Sequence, residues 1–555
     1  MKKMRKKGVF GTVLLLVIIF SGCGSSESFS SHLSSGGGTG ISNMFDSPAE
    51  MGVGDIMAIE FINSDEVEVD FKGVESGANF ILAVGSYNYE GYSSTVTLAA
   101  TDMSMPELND PDSASKSMSL ESEGAYLDDD DEYGANEILS AWLRASESTL
   151  SEVETPASFY SANTYLTKSM GIKASALGDV ETFKVLNSLT SVSSYVNVDA
   201  SVRCVGSNVV FYVDVEVPSS ALSSDDIQTL CGDFDETAGA EMNLLGDIYD
   251  PDGDGKVHVL MTKQVNKLGS LGGGIITGYF YAGDYYKESA SNPVSNYRDI
   301  IYTMVPDPNG SWGTTISRNF AMSNLLPAVL PHELQHAISY SVHVFENGGS
   351  SEESWLNEAM SHFIEDYFGV GNENPSRYAM YLASPSTYGI VTSGSPNLME
   401  RGGSYLFLRY LYEQSDDGDA FLRRLIDTKS VGVKNLEEAF DGASGMESFS
   451  QMMARWVISL IMTDRGISQD PRYVYKPRTY NQATGNYHGV CLDCDADDNR
   501  GTVLNGVNLN QYVGFHSAMV DASAAKFFEM TTLPNELTLR GKESDGNFGI
   551  LVRTQ

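Results

Sequence analysis

Between Gly54 and Ala99 apolar and polar residues alternate in short runs, IMAIEFI, VEVDF, NFILAVGSY and STVTLAA, separated by turn-forming stretches. A period of two turns one side of each run toward a core, which predicts a small antiparallel β module over residues 46–104. Residues 105–135 lose this pattern and turn acidic, with Asp128, Asp129, Asp130 and Asp131 in a row, so a solvated linker is expected there. An α+β stretch follows over 136–324, with strands near 181–187 and 195–217 and a helix opening at Ser223, Ser224 and Asp225. Within it DPDGDGKVHVLMT reads as a turn feeding a strand, and GGGIITGYFYAGDYY (272–286) as an exposed strand or hairpin. From Leu325 the period becomes helical, which predicts a helical lobe over 325–475. The tail from Asn505 returns to short alternating strands, within a C-terminal β module over 476–555.

Composition narrows the class. The chain has 555 residues, 42% of them apolar, and carries 74 acidic against 35 basic side chains for a formal charge of −39. Such an apolar fraction builds large cores in three or four domains and excludes a disordered scaffold or a disulfide-stapled miniprotein. The charge excludes nucleic acid and anionic membrane surfaces as partners. The basic residues Lys2, Lys3, Arg5, Lys6 and Lys7 precede a run from Val9 to Phe20 that is apolar except for Gly11 and Thr12, and then Ser21, Gly22 and Cys23. This run is too short to span a bilayer comfortably and has the form of a secretory signal over residues 1–22. The small residues before Cys23 resemble the lipobox of bacterial lipoproteins, which implies cleavage before Cys23 and lipidation of that residue. Several acyl chains would hold the protein firmly on a membrane, and Gly24 after the lipid cysteine points to the outer membrane or cell surface. Residues 23–45, Ser/Gly-rich from Ser25 to Gly40, then read as a flexible tether.

The strongest chemical signal is PHELQH, with His332, Glu333 and His336. Residues four apart on a helix lie one turn above each other, so the two imidazoles can face one zinc ion, and Glu333 beside them can take a proton from water. A catalytic zinc needs a third protein ligand. His343 lies roughly 10 Å further along an unbroken helix and cannot reach. The arrangement that breaks the helix with glycine also fails, because Ser339 and Val342 occupy its glycine and ligand positions. Asn347, Gly348 and Gly349 make a helix stop. A new helix is expected with Ser350 and Glu353 as a capping box, running through EESWLNEAMSHFIEDYF. Glu358 lies outside its apolar stripe, and His362 falls about 40° from it around the helix. Folding back across the glycine turn would bring that side to His332 and His336.

HExxH followed by NEAMSH resembles the gluzincin metallopeptidases, and HELQHAIS with WLNEAMSHFIED is similar to the hyicolysin family of secreted zinc peptidases. The likeness runs through DPDGDGKVHVLMT, TGYFYAGD, SNYRDIIYTMVPD and GGSYLFLRYLYEQ, roughly residues 180–465. It implies a multidomain α+β chain whose zincin-like (thermolysin-like) catalytic domain has a mainly helical second lobe, flanked by small β-sandwich-like N- and C-terminal modules. Carried over position by position, it implies His332, His336 and Glu358 as zinc ligands, Glu333 as catalytic acid/base, and protein or peptide substrates. There are two departures. Pro331 precedes the first ligand and costs a helical hydrogen bond unless the helix starts there. Some gluzincins place a transition-state tyrosine where this chain reads LMERGG with Met399, which leaves Tyr388 and Tyr405 as candidates for the oxyanion donor.

His343 is expected as a helix-terminal cation near the last carbonyls, and His362 as a partner holding a ligand in place. Asp250, Asp252 and Asp254 followed by Gly255 have the spacing of a calcium loop, but its twelfth position is Met261 and not a bidentate Glu; a calcium site and a plain Asp/Gly turn both remain open. In an exported protein the CxxC of Cys491 and Cys494, and the pair Cys204 and Cys231, read as disulfides. The expected function is a lipid-anchored extracytoplasmic zinc endopeptidase. The rival is a surface adhesin or binding lipoprotein whose zinc helix is structural; an intact Glu333 favours the enzyme, because a structural site has no use for a base.

Overall fold

The computed structural model describes residues 38–41, 45–100, 134–153, 175–498 and 500–555. Cys23, the leader and the acidic run of Asp128 to Asp131 lie outside them. Within the expected tether, residues 38–41 are held in place: the backbone N–H and hydroxyl of Thr39 donate to Glu60 Oε1 at 2.7 and 2.6 Å. Among the described residues no helix is long and apolar enough to cross a membrane.

The chain opens with strands β1 (Ile56–Glu60), β2 (Glu66–Asp70), β3 (Phe80–Ser86) and β4 (Ser94–Ala100). A helix that the sequence pattern did not reveal, α1 (Ala135–Val153), follows. Then come β5 (Val180–Leu186), β6 (Tyr195–Val205), β7 (Val209–Asp214), α2 (Ser224–Leu245), β8 (Val257–Met261), α3 (Lys263–Gly269), β9 (Gly278–Phe280) and β10 (Ile300–Thr303). As expected, α2 opens at Ser223, whose side chain caps Asp226 N–H while the Asp226 carboxylate returns to the Ser223 backbone. Strands β5 to β10 form one sheet in the order β5-β6-β7-β8-β10-β9. Strands β7, β8 and β10 run parallel, and β9 closes one edge antiparallel to β10. Both β7 and β8 are buried along their whole length, as parallel strands covered on both sides must be. Cys204 on β6 is bonded to Cys231 on α2.

The helical lobe contains α4 (Leu326–Tyr340), α5 (Ser354–Tyr367), α6 (Asn374–Ala383), α7 (Leu398–Gln414), α8 (Gly418–Ile426), α9 (Gly432–Ala439) and α10 (Phe449–Met462). Cys491 is bonded to Cys494 within a stretch of short hairpins, β11 (Thr479–Asn481) with β12 (Asn486–His488) and β13 (Asp493–Asp495) with β14 (Val503–Asn505).

The tail departs from the expectation of two separate flanking β modules. Strands β15 (Leu509–Gln511), β16 (Phe515–Val520), β17 (Ala524–Met530), β18 (Glu536–Arg540) and β19 (Asn547–Arg553) interleave with β1 to β4. One sheet has the order β1-β19-β3-β17-β15 and the other β16-β4-β18-β2. The two chain ends thus build a single sandwich. Phe80, Leu82 and Val84 of β3 face Val96, Leu98, Leu537 and Leu539 in its core, while Ile81 and Ala83 join the larger core formed by the six-stranded sheet and the helical lobe. Alternation in a segment specifies which side is buried and says nothing about which strand pairs with it.

Candidate metal centre

Every residue of α4 from Ala328 to Tyr340 is buried, so HELQH does not sit on a charged surface helix. Pro331 lies inside α4 and not at its start, which leaves the Pro327 carbonyl without its helical donor. Beyond Tyr340 the helix widens into a π turn over Ser341–Glu346 and stops at Asn347 and Gly348, where φ is +65°. Only a residue without Cβ takes that conformation freely, and it reverses the chain. The next helix starts at Ser354 with Glu353 as N-cap; the expected Ser350/Glu353 capping box does not form, and the Glu353 carboxylate accepts from Trp355 Nε1 at 2.9 Å instead.

The reversal sets α5 against α4. His332 Nε2 lies 3.6 Å from Glu358 Oε2, and His336 Nε2 lies 3.7 Å from Glu358 Oε1. The ligand atoms of all three are within 4.8 Å of one another. His332, Glu333, His336 and Glu358 are at most 8% exposed. Glu358 Oε2 makes no hydrogen bond, although Arg401 Nη1 on α7 is 3.0 Å away. Two imidazoles and one carboxylate with spare lone pairs are a donor set that suits a metal ion with one position left open. Glu333 lines the same cavity, and its Oε2 accepts from Phe280 N–H on β9 at 2.9 Å.

Behind the triplet, Glu365 Oε1 binds two rings, His332 Nδ1 at 2.7 Å and His362 Nδ1 at 2.9 Å, and Arg377 Nη1 donates to its Oε2 at 3.4 Å. His332, His362 and Glu365 could also group around an ion. Their facing atoms are already satisfied by one another, so this triplet orients His332 and leaves its Nε2 free. Glu365 was not anticipated from the sequence. It lies seven residues after Glu358, two helical turns along the same side of α5, and that spacing was the available signal.

Burial and neighbouring charge act in opposite directions here. Burial opposes charge on His332, but the neighbouring Glu358 carboxylate and the hydrogen-bonded Glu365 outweigh it and lift its pKa to about 9. Burial and then Arg144 hold His336 well below its ordinary value. Burial would raise Glu358, yet Arg401 and both histidines keep it well below the usual carboxylate range. Burial raises Glu333, with His332 and Arg144 partly offsetting it. A carboxylate pushed upward is a better proton acceptor near neutral pH than an ordinary one.

Helix α1 forms one wall of the cavity through Leu139, Ser140, Leu143 and Arg144. Ser140 Oγ donates to Glu358 Oε1 at 3.1 Å, and Arg401 Nη2 donates to Ser140 Oγ at 3.0 Å. Arg144 pairs with Glu147 at 3.0 Å, while its Nε and Nη1 have no hydrogen-bond partner. Trp142 stacks on Tyr281 with ring centroids 5.7 Å apart.

Other expected residues lie elsewhere. Neither Tyr388 nor Tyr405 lines the cavity; Tyr405 is buried and stacks on Tyr378 at 6.1 Å. The LMERGG region brings Arg401 to the site in place of a tyrosine. His343 is no ligand and no helix-terminal cation: its Nε2 donates to Leu425 O at 3.1 Å, and burial holds it neutral with a pKa of about 4. His362 lies behind the triplet, with its Nδ1 2.9 Å from Glu365 Oε1. The edge expected near 272–286 is the three-residue β9, buried and not exposed, with Gly278 so close to Tyr302 O and Val329 that a Cβ would meet both at 2.8 Å. Asp250, Asp252 and Asp254 occupy a turn before β8, and Met261 is a buried strand residue.

No family model matches the chain. A protein named neutral metalloprotease ShpI, from Staphylococcus hyicus, is 24% identical over 284 residues, which cover 48% of this chain and 58% of that relative. The chain therefore matches less than two thirds of the relative's length.

Proposed function

We propose that the chain is a zinc-dependent endopeptidase of the gluzincin type, lipid-anchored through Cys23 outside the cytoplasm. The observation that carries this reading is the convergence of His332, His336 and Glu358 on one buried spot beside Glu333. The likeness to a neutral metalloprotease supports a metallopeptidase relationship. A mixed sheet whose central strands β7, β8 and β10 run parallel between antiparallel strands at both edges, followed by a helical lobe, supports a zincin-like catalytic domain.

Zinc at this site supplies a Lewis acid for the scissile carbonyl and lowers the pKa of water. The chain's own residues do the rest. His332 and His336 present imidazole nitrogens, and Glu365 fixes the His332 ring by accepting from its Nδ1. Arg401 orients the Glu358 carboxylate. The Glu333 carboxylate takes a proton from the attacking water and returns it to the leaving amine. The buried setting excludes bulk water and strengthens each of these interactions.

The test separates base from ligand. Glu333→Gln is expected to keep zinc at wild-type stoichiometry while hydrolysis of a peptide library falls by at least about 100-fold. Glu358→Ala is expected to lose zinc and activity together. A zinc-loaded Glu333→Gln enzyme with more than roughly a tenth of wild-type turnover would remove Glu333 as the base. Full zinc stoichiometry in Glu358→Ala would remove the third ligand.

A further inference from the structure

The turn Asp250–Gly255 and the residue before β10 meet at one end of the central sheet. Asp250 accepts backbone N–H groups from Gly253 at 2.6 Å and Gly255 at 2.9 Å, and Asp254 Oδ1 accepts from Lys256 N–H at 2.9 Å. These bonds fold the turn and by themselves say nothing about a ligand. The informative residues arrive from the strands. Asp299 is 1% exposed and neither of its carboxylate oxygens has a hydrogen-bond partner. His258 on β8 is fully buried, and neither of its ring nitrogens has one either.

Both side chains point into the acidic turn. His258 Nδ1 is 3.5 Å from Asp299 Oδ1, and its Nε2 is 3.5 Å from Asp254 Oδ2 and 3.9 Å from Asp252 Oδ2. Asp250, Asp252 and Asp299 bring carboxylate oxygens within 4.8 Å of one another. Four carboxylates thus share one end of a sheet with a single guanidinium, Arg298, which reaches Asp252 at 3.3 Å and is already paired with Glu181 at 2.8 Å. Burying a carboxylate with no donor is strongly unfavourable. A cation between these oxygens removes that cost, because it gives both orphan oxygens of Asp299 a partner.

We infer that Asp250, Asp252 and Asp299 form a second metal site, separate from the HELQH centre, for a hard divalent cation of the calcium class, with Asp254 and His258 bordering it. Three carboxylates, two of them on a glycine-containing turn, are the hard oxygen donors that calcium takes in its six- to eight-fold, flexible coordination. The spacing of the turn resembles a calcium loop whose terminal glutamate is missing, and Asp299 supplies the carboxylate from a neighbouring strand. Bound there, the ion ties the turn before β8 to the start of β10, which lies beside it in the sheet at Ile300 and His258. The role is structural and independent of the peptidase reading.

The test uses the whole ectodomain freed of metal by chelation. Terbium, a calcium mimic, is expected to give luminescence sensitised by Tyr212, whose ring stacks on His258 at 5.7 Å, and calcium is expected to displace it. Millimolar calcium should raise the melting temperature by several degrees. Asp299→Asn, nearly isosteric, should fold with unchanged circular dichroism, bind zinc at the HELQH centre as wild type does, and lose both the terbium signal and the calcium shift. Asp250→Asn, as a second variant, should weaken terbium at least tenfold. A calcium response that survives in both variants, its absence in the wild type, or a shift with zinc or manganese but not calcium would each overturn the site as described.

Discussion

Ser140 Oγ on α1 donates to Glu358 Oε1 on α5 at 3.1 Å, across 218 residues of sequence. The bond places a helix from near the start of the described chain directly on the third residue of the candidate metal triplet. It also shows why His332, Glu333, His336 and Glu358 are nearly inaccessible, since α1 walls the cavity that a polypeptide would have to enter. Loosening α1 should therefore help substrate entry. Trp142→Ala removes the stack on Tyr281 and is expected to raise kcat/KM several-fold on long peptides, with zinc content unchanged. A fall in kcat/KM would show that α1 builds the substrate site and does not obstruct it.

Glu365 holds His332 Nδ1 at 2.7 Å without reaching the triplet itself. Glu365→Gln keeps the shape but weakens the hold on the ring. Zinc affinity is expected to fall by about 10- to 100-fold. Competition with a chromogenic chelator measures it, and an unchanged affinity would make Glu365 a packing residue only.

His343 gives a pH signature. Its ordinary pKa is 6.5, and burial lowers it to about 4 in the folded chain. A folded value depressed below the unfolded one means that stability is complete above pH 6.5 and drains away as pH falls through about 4. The full loss corresponds to roughly 3 kcal/mol. Glu352, 3.8 Å from His343 and pushed up to about 8 by burial, has the opposite sign: its contribution is complete below pH 4.5 and fades as pH rises through about 8. His343→Gln keeps a donor for Leu425 O and should flatten the melting temperature between pH 6.5 and 4 relative to wild type. Parallel curves would contradict a neutral buried His343.

Strand β19 lies between β1 and β3, and all seven of its residues are buried. Removing residues 547–555 should unfold the whole sandwich, including β1 to β4. Native-state hydrogen exchange of β3 reports this directly. Persistent protection of β3 amides in the truncated chain would mean that the N-terminal strands fold as a separate module.

The sequence by itself determined what is local. The turn-by-turn spacing of His332 and His336, the helix-breaking Gly348 and the helix start at Ser223 all follow from backbone geometry over a few residues, and each lies where it was expected. Tertiary structure decided what depends on distant partners. Strands β17 and β19 enter the same sheet as β3, because alternation fixes a buried side but leaves pairing to whichever edge buries the most apolar surface. Arg401, Glu365 and Ser140 reach the candidate centre from three helices, and no spacing rule links α1 to Glu358. Buried polar atoms must find partners wherever the fold supplies them, so the surroundings of the triplet were written by packing and not by the motif.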